Sequence, residues 1–83
     1  PYLDQDYARA LAILEGALVE YPGNAGITYN IACMEALLDR PDEALAHLAH
    51  AIDGWPRAKQ LAAEDYDFVS LRDNPEFEKL VAK

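Results

Sequence analysis

Residues 24–56 read NAGITYNIACMEALLDRPDEALAHLAHAIDGWP. Asn24 stands ahead of an apolar run and can lend its side-chain oxygen to an orphan helix N–H. Pro41 suits a first helical position because proline has no N–H to leave unpaired, and Asp42 and Glu43 suit a first turn because the helix dipole favours negative charge there. The stretch therefore predicts two helices, 25–38 and from 41 to a close at Gly54-Trp55-Pro56. The second has one stripe: Ala44, Leu45, Leu48, Ala51 and Ile52. The first has two, Ile27-Ile31-Met34-Leu38 and Tyr29-Cys33-Leu37. A helix apolar on two sides is packed on both, or packed on one and used for binding on the other.

Outward from there, Tyr7, Ala10, Leu11, Leu14, Ala17, Leu18 and Tyr21 recur at helical spacing, predicting a helix from Asp4 or Asp6 to Tyr21. Pro22-Gly23-Asn24 makes the turn. Residues 57–64 read as a shorter helix. Asp65-Tyr66-Asp67-Phe68 reads as a turn leading into one helical turn through Leu71, and Asn74-Pro75-Glu76 starts a last helix through Val81. Fifteen Ala and eleven Leu support helix throughout, and nothing alternates with period two, so no sheet is expected.

Shifting the chain by 34 residues aligns 7–22 with 41–56, and six of those sixteen positions are identical: Ala10/Ala44, Leu11/Leu45, Ala12/Ala46, Leu14/Leu48, Ala17/Ala51 and Pro22/Pro56. Leu18/Ile52 and Tyr21/Trp55 are conservative. The match ends past Leu61. A two-helix unit of this period resembles the tetratricopeptide repeat (TPR). Ile31-Ala32 stands where the family has Leu-Gly, and Tyr29-Asn30-Ile31-Ala32-Cys33 is similar to a common bacterial form. Thr28, Glu35 and Asp39 depart from it, standing where the family usually has Trp, Tyr and Gly. Asp65-Tyr66-Asp67-Phe68 and Leu71-Arg72-Asp73-Asn74-Pro75-Glu76-Phe77 resemble the segment that closes bacterial proteins of this kind.

The resemblance covers about residues 5–78 and implies an all-α fold, an antiparallel helix-hairpin superhelix fragment with a C-terminal helical cap. Residues 1–22 are the second helix of a partial repeat, with Pro1-Tyr2-Leu3 the stub of its first. Residues 24–56 are a full repeat, and 57–83 are capping helices. The missing initiating Met and this register read as an excerpt of a longer array, or as a domain that dimerises to cover an open end. Tyr7, Leu11 and Leu18 are expected to be exposed there. Ala10, Ala17, Ala32, Ala44 and Ala51 are expected at close helix crossings.

The 83 residues carry fifteen acids against seven bases, a net charge of −8. Residues 1–56 hold nine acids and two bases; residues 57–83 hold six and five. Such a chain is repelled by phosphate backbones and anionic headgroups, so neither nucleic acid nor a membrane surface is expected as partner. No apolar run approaches the ~18 residues of a membrane span. The single Cys33 allows no internal disulfide and fits a reducing compartment, taken as the cytoplasm.

One Ser, one Thr, one Cys and two His, without a glycine-rich loop or nucleophile elbow, argue against an enzyme, and no cofactor is implied. Glu43, His47 and His50 share one helix face at metal-ligand spacing, yet read better as exposed polar residues. Cys33 has no basic neighbour in sequence to activate it and reads as packing. Trp55 reads as covering the end of the third helix. The function expected is protein–protein interaction. Ile27, Ile31, Met34 and Leu38 form the more apolar stripe and are expected in the core. Gly26, Tyr29, Asn30, Cys33 and Leu37, extended by Gln60, Ala63 and Glu64, would then line a concave face holding a peptide or helix. The alternative is a structural or dimerisation unit with no ligand of its own. Some family members clamp a C-terminal carboxylate with Lys, Arg and Asn. Only Asn30 matches that pattern, and Gly26 and Tyr29 replace the bases, so a basic or apolar peptide fits better.

Overall fold

Asn24, Pro41 and Asn74-Pro75 sit at helix starts in the computed structural model, which describes the backbone of residues 2–82 and the side chains of residues 6–82, whereas the first helix begins at Tyr2, ahead of Asp4 and Asp6. The helices are α1 (Tyr2–Glu20), α2 (Ala25–Leu37), α3 (Pro41–Gly54), α4 (Ala58–Glu64), a 3₁₀ helix α5 (Tyr66–Leu71) and α6 (Pro75–Val81). There is no strand among the described residues. Asn24 accepts the Ile27 N–H at 3.0 Å, and Asn74 accepts the Glu76 N–H at 2.9 Å, so both caps work as their residue types dictate. Helix α1 takes in Tyr2 and Leu3, which therefore do not belong to a preceding helix; Pro1 lies outside the described residues.

The α2–α3 turn depends on Asp39. Its N–H bonds the Ala36 carbonyl at 3.2 Å, and the Arg40 N–H bonds the Glu35 carbonyl at 2.9 Å. This is the Schellman closure, which needs a left-handed residue after the helix. Asp39 supplies it at φ 60°, the one non-glycine with positive φ among the described residues. Glycine has no Cβ penalty there. Asp39→Gly is therefore expected to raise stability by about 0.5–1 kcal/mol in urea denaturation. A loss would mean that the aspartate side chain holds the turn.

Helix α2 is central. It packs against α1, α3 and α5, while α3 also meets α4 and α6. The three-residue turn at 38–40 requires the chain to reverse between α2 and α3. One buried cluster joins Ala32, Ala36, Ala44, Leu48 and Ala51 to Ala58, Ala62, Phe68, Leu71 and Phe77. Leu11 and Ile31 are buried outside that cluster. Ala32, Ala44 and Ala51 have no accessible surface, whereas Ala10 and Ala17 are half-buried. Ala44→Leu or Ala51→Leu is expected to overpack the core and cost about 1–3 kcal/mol. Melting within a degree of wild type would contradict that packing.

Two expectations are overturned. Tyr7, Leu11 and Leu18 do not form an exposed strip: Leu11 is buried, and Tyr7 and Leu18 are half-buried, because this is the stripe α1 turns toward α2. The outward face of α1 carries Ile13 and Val19 instead. Nor is the Ile27 stripe of α2 the deeper one. Ile31 is buried, but Ile27, Met34 and Leu38 are half-buried while Tyr29 and Cys33 are fully buried.

Candidate functional site

Two open grooves flank α4. The first, about 460 Å³, is lined by Trp55, Arg57, Gln60, Leu61, Glu64 and Asp65. The second, about 420 Å³, shares Arg57, Gln60 and Glu64 and runs past Ala63 to Val81 of α6. Both exist because α4 buries only Ala58 and Ala62, leaving its other side chains to stand around a helix two turns long. Trp55 is half-buried at the end of α3, and Leu61 is 47% exposed although aliphatic. The first groove thus has an apolar floor, a guanidinium lining it and two carboxylates at the end of α4, Glu64 in its last position and Asp65 just after it.

Of the residues expected to line the concave face, Gln60, Ala63 and Glu64 line these grooves. Gly26, Asn30 and Leu37 line neither; Asn30 is exposed and the other two are half-buried. A Cβ on Gly26 would lie 3.2 Å from the Asn24 cap oxygen, so this glycine keeps the cap close. Tyr29 and Cys33 are a correction. They are not open to a peptide, because the C-terminal segment lies over them. The Tyr29 ring sits edge-on between Trp55 (centroids 5.9 Å) and Phe68 (5.7 Å), and Phe68 meets Phe77 at 5.7 Å. One aromatic ladder so ties α2, α3, α5 and α6 together.

Asp65, between α4 and α5, is the residue that the sequence reading missed. One carboxylate oxygen accepts the Asp67 N–H at 2.9 Å and caps α5. The other accepts the Tyr29 hydroxyl at 2.7 Å and faces the Cys33 thiol at 3.9 Å. Asp-x-Asp before a helical turn is the only local signal for the cap, and nothing in the sequence joins it to Tyr29. Burial, then the charges of Asp65 and Asp67, push the Cys33 thiol well above its ordinary range. Burial and the bond to Asp65 do the same to the Tyr29 phenol. Donor atoms of Cys33, Asp65 and Asp67 lie within 4.8 Å of one another. The Asp65 oxygens are already engaged, however, and a thiol held protonated is a poor ligand and a poor nucleophile.

Glu35 is almost fully buried, and His47 Nδ1 stands 2.7 Å from its carboxylate. The pair links α2 to α3. Within the trio Glu43, His47 and His50, His47 is thus turned toward Glu35, Glu43 accepts from Arg40 Nε at 2.9 Å, and His50 is exposed. Burial raises the Glu35 carboxyl above its ordinary value, and the His47 hydrogen bond partly opposes that. Asp67 is raised too, by burial and by Asp65, whereas Arg40 lowers Glu43.

A carboxyl raised in the fold contributes stability below its ordinary value and loses it as pH climbs through the raised one. Glu35→Gln is therefore expected to gain in melting temperature relative to wild type as pH rises from about 4 to about 7. A constant offset over that range would show that Glu35 does not titrate with folding.

No helix of the described residues is long and apolar enough to cross a membrane. The chain matches no family model, and no curated protein or solved structure is significantly similar to it.

Proposed function

We propose that the chain is a non-catalytic, tetratricopeptide-like interaction module of the cytoplasm that binds a peptide in the groove beside Trp55. The 34-residue repeat, the left-handed closure of α2 at the position where the family usually has glycine, and the aromatic cap support the family reading. The observation that carries the binding site is Leu61, aliphatic and half-exposed beside the Trp55 ring in a groove of about 460 Å³. Grooves that hold peptides combine an apolar floor with a few polar groups that orient the ligand. Glu64 fits a basic residue following an apolar side chain, and the net charge of −8 favours approach of a cationic segment. No cofactor takes part.

Selection from a random peptide library on the immobilised chain tests this. The expected binders carry an aliphatic or aromatic residue next to Lys or Arg. Leu61→Glu or Glu64→Lys is expected to weaken them about tenfold or more, a loss of roughly 1.4 kcal/mol. Binders indifferent to both variants place recognition elsewhere. A second reading, a structural unit that dimerises, is favoured by the outward apolar residues of α1.

A further inference from the structure

We infer that the outward face of α1 pairs with the same face of a second copy of this chain, antiparallel, with Ile13 of each copy seated over Gly16 of the other. Arg9, Ile13, Gly16 and Glu20 lie on one line along the helix, spaced four, three and four apart. That spacing is symmetric about the middle of the line. A two-fold antiparallel pair therefore brings Ile13 opposite Gly16 and Arg9 opposite Glu20, twice over. The chemistry agrees at both positions.

Ile13 is 68% exposed, and a Cβ on Gly16 would meet nothing within 4 Å, so a knob stands beside an open notch. Arg9 and Glu20 are exposed and opposite in charge. Val19, 81% exposed on the flank, falls by the same symmetry between Ala8 and Ala12 of the second copy. A net-negative surface repels a second copy in general, so the two Arg9–Glu20 contacts also set the one orientation that is electrostatically favoured. The face lies apart from the grooves beside α4, none of whose lining residues belongs to α1.

The contact runs along about three turns of helix, below the ~1,200 Å² typical of stable complexes, so association is weak and concentration-dependent. Sedimentation equilibrium of the chain at about 0.15 M salt, which screens the net repulsion, from about 10 µM to about 1 mM, is the test. The average mass is expected to rise from 9.2 kDa toward twice that value. Gly16→Leu fills the notch and is expected to abolish the rise without lowering the melting temperature, since the added side chain has room within its own copy. Arg9→Glu and Glu20→Arg are each expected to weaken association at least tenfold, and the double variant to restore it. Leu61→Glu leaves it unchanged. A monomer throughout the range overturns the proposal and leaves the face to some other partner. A dimer indifferent to Gly16→Leu and to both charge reversals also overturns it, because the dimer then uses another surface.

Discussion

Phe68→Ala is expected to lose about 3–5 kcal/mol, the cost of emptying a buried aromatic site. A chain of this size has only about 4–12 kcal/mol to lose. Phe68 has no accessible surface and touches rings on both sides, Tyr29 of α2 and Phe77 of α6. Its position is set by a 3₁₀ segment that Asp65 caps, so no long helix holds the backbone in place if the ring is lost. The cavity therefore opens where the C-terminal segment packs on α2. Urea denaturation followed by circular dichroism measures the effect. The neighbouring Val69→Ala, at a half-exposed position, is expected within about 0.5 kcal/mol of wild type. If Phe68→Ala costs less than about 1 kcal/mol, the C-terminal segment is not part of the cooperative unit.

Tyr29→Ala is expected to cost about as much, about 3–5 kcal/mol, because it removes an inner ring of the ladder and the donor to Asp65. Tyr29→Phe keeps the ring and loses only the hydrogen bond to a half-exposed carboxylate, about 1–2 kcal/mol. The difference between the two assigns the contribution of aromatic packing. Tyr29 and Cys33 are both raised in the fold, so each contributes stability below its ordinary value and loses it above. Wild type is therefore expected to weaken as pH rises beyond about 9, and Tyr29→Phe to weaken less steeply. Equal losses for Tyr29→Ala and Tyr29→Phe would mean that the ladder carries no packing energy.

The helix boundaries were legible because local chemistry sets them. Asn24, Pro41, Asn74 and Pro75 act within one turn of themselves, and the observed helices begin where these residues place them. The depth of the core along α2 was not legible. Two apolar stripes show that two sides are covered, but the cover over Tyr29 and Cys33 comes from residues 65–68, more than thirty positions away. The same distance hides the role of Asp65. Glu35 reads in sequence as one more acid, and only His47, twelve residues on, makes its burial tolerable. Gln60, Ala63 and Glu64 line grooves beside α4, not the groove over Tyr29 and Cys33 that the two stripes suggest, because α4 has only two buried positions, Ala58 and Ala62. The outward face of α1 was misjudged because the inward stripe is the more apolar of the two.

Trp55 is the chain's only tryptophan and lines the groove assigned to the peptide, so its emission reports on that groove. Titrating a library-selected peptide that lacks tryptophan into the chain is the most direct measurement. A saturable shift or quenching of Trp55 emission, absent in Leu61→Glu, is the result expected. Saturable binding detected on a labelled peptide, with the Trp55 spectrum unchanged, would contradict the assignment.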